Sequence, residues 1–229
     1  MKPNKKLYSL FTKQAWVISY LFFCRVILRF FYKYEIKIHP DLDLSKKEPI
    51  LIIANHRSML DPWIIIGALS FKTFRQLLPI RMLGAKNFLN PIVNMFNKIG
   101  AIPVVYFFYN VIPVSGQTFE EKISGPVQAL QNGETVFMFP EGKIKIKSDD
   151  VLAEFKKGFA AIDRITHVPI LPVFVNYEKG HGFRTKCTVK FDKLTALPEH
   201  ARLKLQEEEI YALDAEFLRN KVLSLAKAR

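Results

Sequence analysis

Short apolar runs alternate with amphipathic stretches along most of this chain, and the two periods point to different elements. Runs at 50–54, 100–104, 111–114, 135–139, 170–175 and 187–191 are short, apolar and bounded by turn residues, which reads as strands. Between them, apolar residues at three- and four-residue spacing predict helices over 62–70, 87–98, 118–131 and 155–166. Beyond Glu207, the residues Ile210, Leu213, Phe217, Val222 and Leu225 gather on one side of a helical wheel, so a long amphipathic helix closes the chain at Ala228. Alternating strands and helices predict an α/β fold, a mixed β-sheet flanked by helices.

Two segments depart from this rhythm. The first is an N-terminal arm in which Ala15 to Cys24 is apolar or weakly polar and is followed by Arg25, Arg29 and Lys33 at four-residue spacing. Crossing a bilayer from Ala15 to Tyr32 would draw Arg25 and Arg29 into hydrocarbon, at about 2.5 to 3.5 kcal/mol each near the centre. Lying in the interface avoids most of that cost, so the arm is expected to be an amphipathic helix inserted at a membrane surface, ahead of a tilted span or a cleaved signal. With a boundary near Pro40 to Lys47, the organisation becomes a membrane-associating arm over 1–40 and a single α/β domain over 41–229. The second segment, Ala101 to Val114, is apolar except for Asn110 and too short to span a bilayer, which takes ~20 residues. Pro103 and Pro113 oppose one long helix. The segment reads as two strand-like halves around a turn at Tyr109-Asn110, packed in the core or dipping into lipid, with the core favoured because apolar runs are usually buried.

Composition narrows the partner. Lys and Arg total 34 against 21 acidic residues, a formal charge of +13 over 229 residues, which favours an anionic partner such as lipid headgroups, nucleic acid or an acidic carrier protein. The 20 Phe and 8 Tyr stand in apolar runs instead of alternating with basic residues, and no nucleic-acid motif appears, so nucleic acid is disfavoured. Cys24 and Cys187 are too few for a disulfide framework and require no oxidising compartment. Together with the basic flanks, this places the protein on the cytoplasmic face of a membrane. Oligomeric state is not legible. The five histidines are scattered, without metal-ligand spacing, and no phosphate loop, dinucleotide fingerprint or serine elbow is present, so no metal and no cofactor are expected.

Candidate chemistry sits at two strand ends. After the run 49–54 comes Asn55-His56-Arg57-Ser58-Met59-Leu60-Asp61, in which a turn can bring the Asp61 carboxylate to one imidazole nitrogen of His56 and leave the other for substrate. The competing reading makes Asp61 an ordinary N-cap before Pro62. After the run 135–138 comes Phe139-Pro140-Glu141-Gly142-Lys143, with Lys145 and Lys147 beyond, a basic turn whose glycine lets backbone N–H groups approach an anion. Its competing reading is a solvated loop with Glu141 as a local ion partner.

Taken in order, the NHRSMLD block, the FPEGK block, Phe155-Lys156-Lys157-Gly158 and Val168-Pro169-Ile170-Leu171-Pro172-Val173 resemble the glycerolipid acyltransferases typified by lysophosphatidic acid acyltransferases. The resemblance spans roughly His56 to Phe191, including Ala85-Lys86, and implies a glycerol-3-phosphate acyltransferase-like fold. It further implies that an acyl group moves from acyl coenzyme A or an acyl carrier protein to a membrane lysolipid hydroxyl, most simply 1-acyl-sn-glycerol-3-phosphate. His56 is then the base and Asp61 its orienter. Lys86, Pro140, Glu141, Gly142 and Lys143 fall to acceptor binding, and the stretch to Pro172 falls to the donor side. The chain departs from the family pattern where arginines are usual: none stands between Arg81 and Arg164, so Arg81 or lysines 86, 122, 143 and 145 would have to hold an acceptor phosphate. That departure keeps a different lysolipid or aminolipid acceptor open, and a non-catalytic lipid-binding protein on the same scaffold is the alternative from another class.

Overall fold

The computed structural model describes residues 5–85, 95, 97–114, 116–144, 152–179, 182–199 and 206–228. Within them seven strands, β1 (Tyr32–Ile38), β2 (Leu51–Ala54), β3 (Ile80–Ala85), β4 (Ile112–Val114), β5 (Thr135–Met138), β6 (Ile170–Glu178) and β7 (Thr185–Phe191), form one sheet in the order β1-β7-β6-β2-β5-β3-β4. Five of them, from β6 to β4, run parallel to one another, while β7 pairs antiparallel with β6 and β1 parallel with β7. The sheet is therefore mixed, as the alternation of strands and helices predicts. Central strand β2 is buried at all four residues, and chemistry in such sheets collects at the carboxyl ends of the parallel strands.

Strand alternation divides the core into two layers. Ile52 and Ala54 of β2, Phe137 of β5 and Leu171, Val173 and Val175 of β6 face the N-terminal arm and helices α3 (Asp61–Ala68) and α4 (Phe71–Gln76). Leu51, Ile53, Val136, Met138, Ile170 and Phe174 face α6 (Phe119–Gln131), α7 (Gly158–Thr166) and α8 (Glu207–Lys227). With both faces covered, the inner strands read as unbroken apolar runs.

The arm is helical throughout: α1 (Lys5–Ile18), a π-helical stretch over Ser19–Ile27 and α2 (Leu28–Phe31). Trp16, Tyr20, Cys24 and Leu28, four residues apart, are buried against the sheet domain. Trp16 Nε1 donates to the Ile80 carbonyl at 2.9 Å, the Tyr20 hydroxyl donates to the Leu69 carbonyl at 2.7 Å, and the Tyr20 ring stacks on Phe74 with centroids 4.4 Å apart. Close approach at the middle of this seam depends on Gly67 of α3, where a Cβ would meet Cys24 Cβ at 2.9 Å. The opposite side of the arm is apolar and open, with Ile18, Leu21, Phe22, Val26, Phe30 and Phe31 all more than half exposed.

Four elements differ from the sequence expectation. Residues 100–104 do not form a strand: Ala101–Phe108 is a helix, α5, and Pro103 sits in its first turn, where a missing N–H costs nothing. The turn at Asn110, with φ of 48°, and the strand after it stand as expected. Val111 and Ile112 are core, but Val104, Phe107 and Phe108 are exposed beside the arm, where Phe11 packs on both phenylalanines. The arm's helical pattern also gives way at Tyr32 to an edge strand, β1, and α4 and β3 add elements between α3 and residue 85. The helix expected over 87–98 lies mostly outside the described residues.

Candidate active site

Everything at the site hangs from the end of β2. Asn55, fully buried, donates its side-chain amide to the Val175 carbonyl at 2.8 Å and accepts the Val175 N–H at 2.7 Å, holding β2 to β6 past their last ladder pair. The next backbone N–H, that of His56, donates to Glu141 Oε1 at 2.8 Å, and Glu141 Oε2 accepts the Ala153 N–H at 2.9 Å. Glu141 is buried, so it is a clamp joining three loops and not the ion partner of a solvated turn.

Asp61 is the most heavily engaged side chain here. Its Oδ2 accepts from His56 Nδ1 at 2.9 Å, from the Arg57 N–H at 2.7 Å and from the Ser58 N–H at 2.8 Å, while Oδ1 accepts from the Tyr177 hydroxyl at 2.5 Å. An N-cap would aim its oxygen forward, at the N–H groups two or three residues on. This carboxylate turns back toward residues 56–58, and α3 starts after Leu60 with no side-chain cap. The imidazole is gripped on its face as well, stacking on Phe139 with centroids 4.0 Å apart and planes 12° apart. With Nδ1–H given to a carboxylate, Nε2 is the basic nitrogen, and the side chain keeps 17 % of its surface open.

Beneath the pair lies a neutral layer. Tyr177 faces Cys187 across the β6–β7 ladder and meets the edge of Tyr32 with centroids 5.9 Å apart. Burial pushes the Cys187 thiol up to about 12, so it is no thiolate nucleophile at neutral pH. Burial, and then the neighbouring Asp61 charge, raise the Tyr177 phenol, which remains a proton donor.

Of the other candidate residues, Pro140 is buried and its carbonyl accepts the Lys156 N–H at 2.9 Å. Gly142, at φ of 66°, carries the Lys156 side chain across it: a Cβ there would lie 2.6 Å from Nζ. Lys143 is exposed, and Lys86 and Lys145 lie outside the described residues. Arg81 is committed elsewhere, its guanidinium bound to the Asn110 carbonyl and to Glu134 at 3.0 Å. Pro172 is buried within β6 opposite Ile53, at the point where the β6–β7 ladder begins, so its missing N–H leaves that ladder intact. The residue of β6 that reaches the pair is Tyr177, which the motifs do not include; it ends the alternation Val173, Val175, Tyr177 on the arm-facing side of the sheet. Among the described residues no cluster of three His, Cys, Asp or Glu is placed to hold a metal ion.

A family model described as Acyltransferase matches residues 35–176, a stretch that holds the His56–Asp61 pair, the Glu141 clamp and Val175. The chain belongs to the acyltransferase family. Over 129 residues, 56% of its length, this acyltransferase-family chain is 32% identical to a probable 1-acyl-sn-glycerol-3-phosphate acyltransferase of Mycoplasma genitalium, and it spans 44% of the length of that relative. Its fold matches the crystal structure of the 1-acyl-sn-glycerophosphate (LPA) acyltransferase PlsC from Thermotoga maritima with a TM-score of 0.54 at 21% identity, covering 98% of this chain and 80% of the other. Shared fold and family therefore agree with the resemblance carried by the motifs.

Proposed function

We propose that this acyltransferase moves a fatty acyl group from an acyl thioester, acyl coenzyme A or acyl carrier protein, to the hydroxyl of a lysophospholipid, 1-acyl-sn-glycerol-3-phosphate first among them. The observation that carries the reading is the carboxylate of Asp61 turned away from helix capping and onto His56 Nδ1. Nε2 then takes the acceptor's hydroxyl proton as its oxygen attacks the thioester carbonyl; the C–S bond breaks and the thiol leaves with that proton. Base catalysis of this kind supplies ~10²- to 10⁴-fold. Lys156, lying over Gly142, and exposed Lys143 supply positive charge beside the Glu141 clamp for the acceptor phosphate. Because these are point charges instead of arginine forks, acceptors without a phosphomonoester form the second reading.

The arm sets where the reaction takes place. Leu10–Phe31 is long and apolar enough to cross a membrane by length and composition. One side of it is buried lengthwise against the sheet domain, however, so the open stripe of Ile18, Phe22, Val26 and Phe30 lies along the membrane plane. Exposed aromatics extend the stripe at both ends, with Phe107 and Phe108 against Phe11 and Phe183 against Phe30. The excess of basic residues favours an anionic, cytoplasmic leaflet.

Purified protein offered a panel of lysolipids with one labelled acyl thioester tests the reading. Labelled phosphatidic acid is the expected product; products only from acceptors lacking a phosphomonoester would move the assignment to the second reading. His56→Ala is expected to abolish measurable transfer while leaving the fold intact by circular dichroism, and a folded variant with near-normal turnover would remove the base.

A further inference from the structure

One hydroxyl reaches the His56–Asp61 pair from outside both sequence blocks that mark the site. Tyr177 stands two residues past the Asn55–Val175 clamp on β6, and its O–H donates to the Asp61 oxygen that does not face the imidazole. We propose that Tyr177 is a positioning residue for this base: it never touches substrate, and acts through Asp61 by fixing the carboxylate's orientation and dispersing its charge.

The need for such a residue follows from the surroundings of Asp61. The side chain is wholly buried, and among the described residues no lysine or arginine pairs with it. A buried carboxylate lacking a permanent cation depends on hydrogen-bond donors. Oδ2 receives three, all from residues 56–58; the donor to Oδ1 comes from another strand, 116 residues away. That second anchor stops the carboxyl plane from turning with its own loop, and so keeps Oδ2 on Nδ1. Tyr177 is itself held, with Tyr32 of β1 at its ring edge and Cys187 of β7 across the ladder. The titratable groups facing the carboxylate are thus His56, Tyr177, Tyr32 and Cys187, with Glu141 beyond the His56 backbone.

A readout separates this role from simple packing. A carboxylate that accepts one hydrogen bond fewer holds a proton, its own or its partner imidazole's, more tightly. Tyr177→Phe keeps the ring and deletes the donor, so the acidic limb of its kcat/KM profile is expected to move to higher pH by about one unit. Its kcat is expected to fall by roughly tenfold while KM for both substrates stays near the wild-type value. Replacing Tyr177 with 3-fluorotyrosine, a more acidic phenol of nearly the same shape, is expected to move the limb the opposite way, and it decides the matter alone if Tyr177→Phe does not fold. The inference rests on His56 being the base, and the two fail separately. Turnover retained by His56→Ala would overturn both. An inactive His56→Ala beside Tyr177 variants whose pH profiles superpose on wild type would overturn only the role of Tyr177.

Discussion

Asp61 and Asp214 are equally buried, at 0 % exposure, yet they are compensated in opposite ways. Asp214 of α8 receives a guanidinium: Arg164 of α7 gives Nε at 3.1 Å and Nη2 at 2.9 Å to Oδ2, with Nη2 also 3.1 Å from Oδ1. Arginine stays charged at every physiological pH, so that carboxylate is locked and its work is to tie two helices together on one side of the sheet. Asp61 is surrounded by neutral donors and one imidazole, a partner without a permanent charge. A permanent cation makes a buried carboxylate into a rivet; a partner without one suits the role proposed for Asp61 beside the base. On that proposal the kind of partner, and not burial, separates the two aspartates.

Substitution can break the comparison at either end. The largest effect is expected for Asp61→Asn, which permits the wrong imidazole tautomer: kcat/KM for lysolipid acylation should drop by ~10²- to 10⁴-fold with the melting temperature little changed. Near-normal activity would reduce Asp61 to a loop-closing residue. Arg164→Ala should do the reverse, taking the guanidinium from a buried carboxylate and costing about 3–5 kcal/mol in denaturant unfolding, while the turnover of the folded fraction holds.

The smallest effect sharpens the contrast through a third carboxylate. Asp163, nearly buried beside the Arg164–Asp214 pair, is pushed up from 3.8 to about 6 by burial, with the Arg164 charge opposing that shift. In the window between those values the unfolded chain gives up its proton first, so this group's contribution makes stability fall as pH rises through it. Asp163→Asn should therefore stabilise the protein at pH 7.5, by about 1–3 kcal/mol, and make no difference near pH 4. Thermal melts at the two pH values check the sign.

The elements nearest the chemistry were the most legible. Strands β2, β5 and β6 are apolar runs ended by turn residues, and the short loop from His56 to Asp61 left little freedom in how its ends could meet. Where the sequence misled, tertiary contact overrode local preference. Residues 101–108 carry β-branched and aromatic side chains, which are strand-like signals, and a proline, which opposes a helix interior, yet the helix has its proline in the tolerant first turn and a phenylalanine of the arm to lie against. Strand β1 reads Tyr-Lys-Tyr-Glu-Ile-Lys-Ile, a clean alternation, but it follows directly on a helix with no breaker between, which concealed the boundary. Tyr177 was invisible for a different reason. A tyrosine at the end of an apolar strand is ordinary, and only the register of β6 against β2 brings it beneath a residue 116 positions earlier.

Gly67 and the four side chains seated along that seam mean that the arm is a wall of the molecule, apart from the membrane role proposed for its other side. Trimming the first forty residues to gain solubility would unroof the sheet, baring Phe74 and the carbonyls of Leu69 and Ile80 to water. On the proposed membrane docking, detergent need not do so, because the surface it would coat is the opposite one.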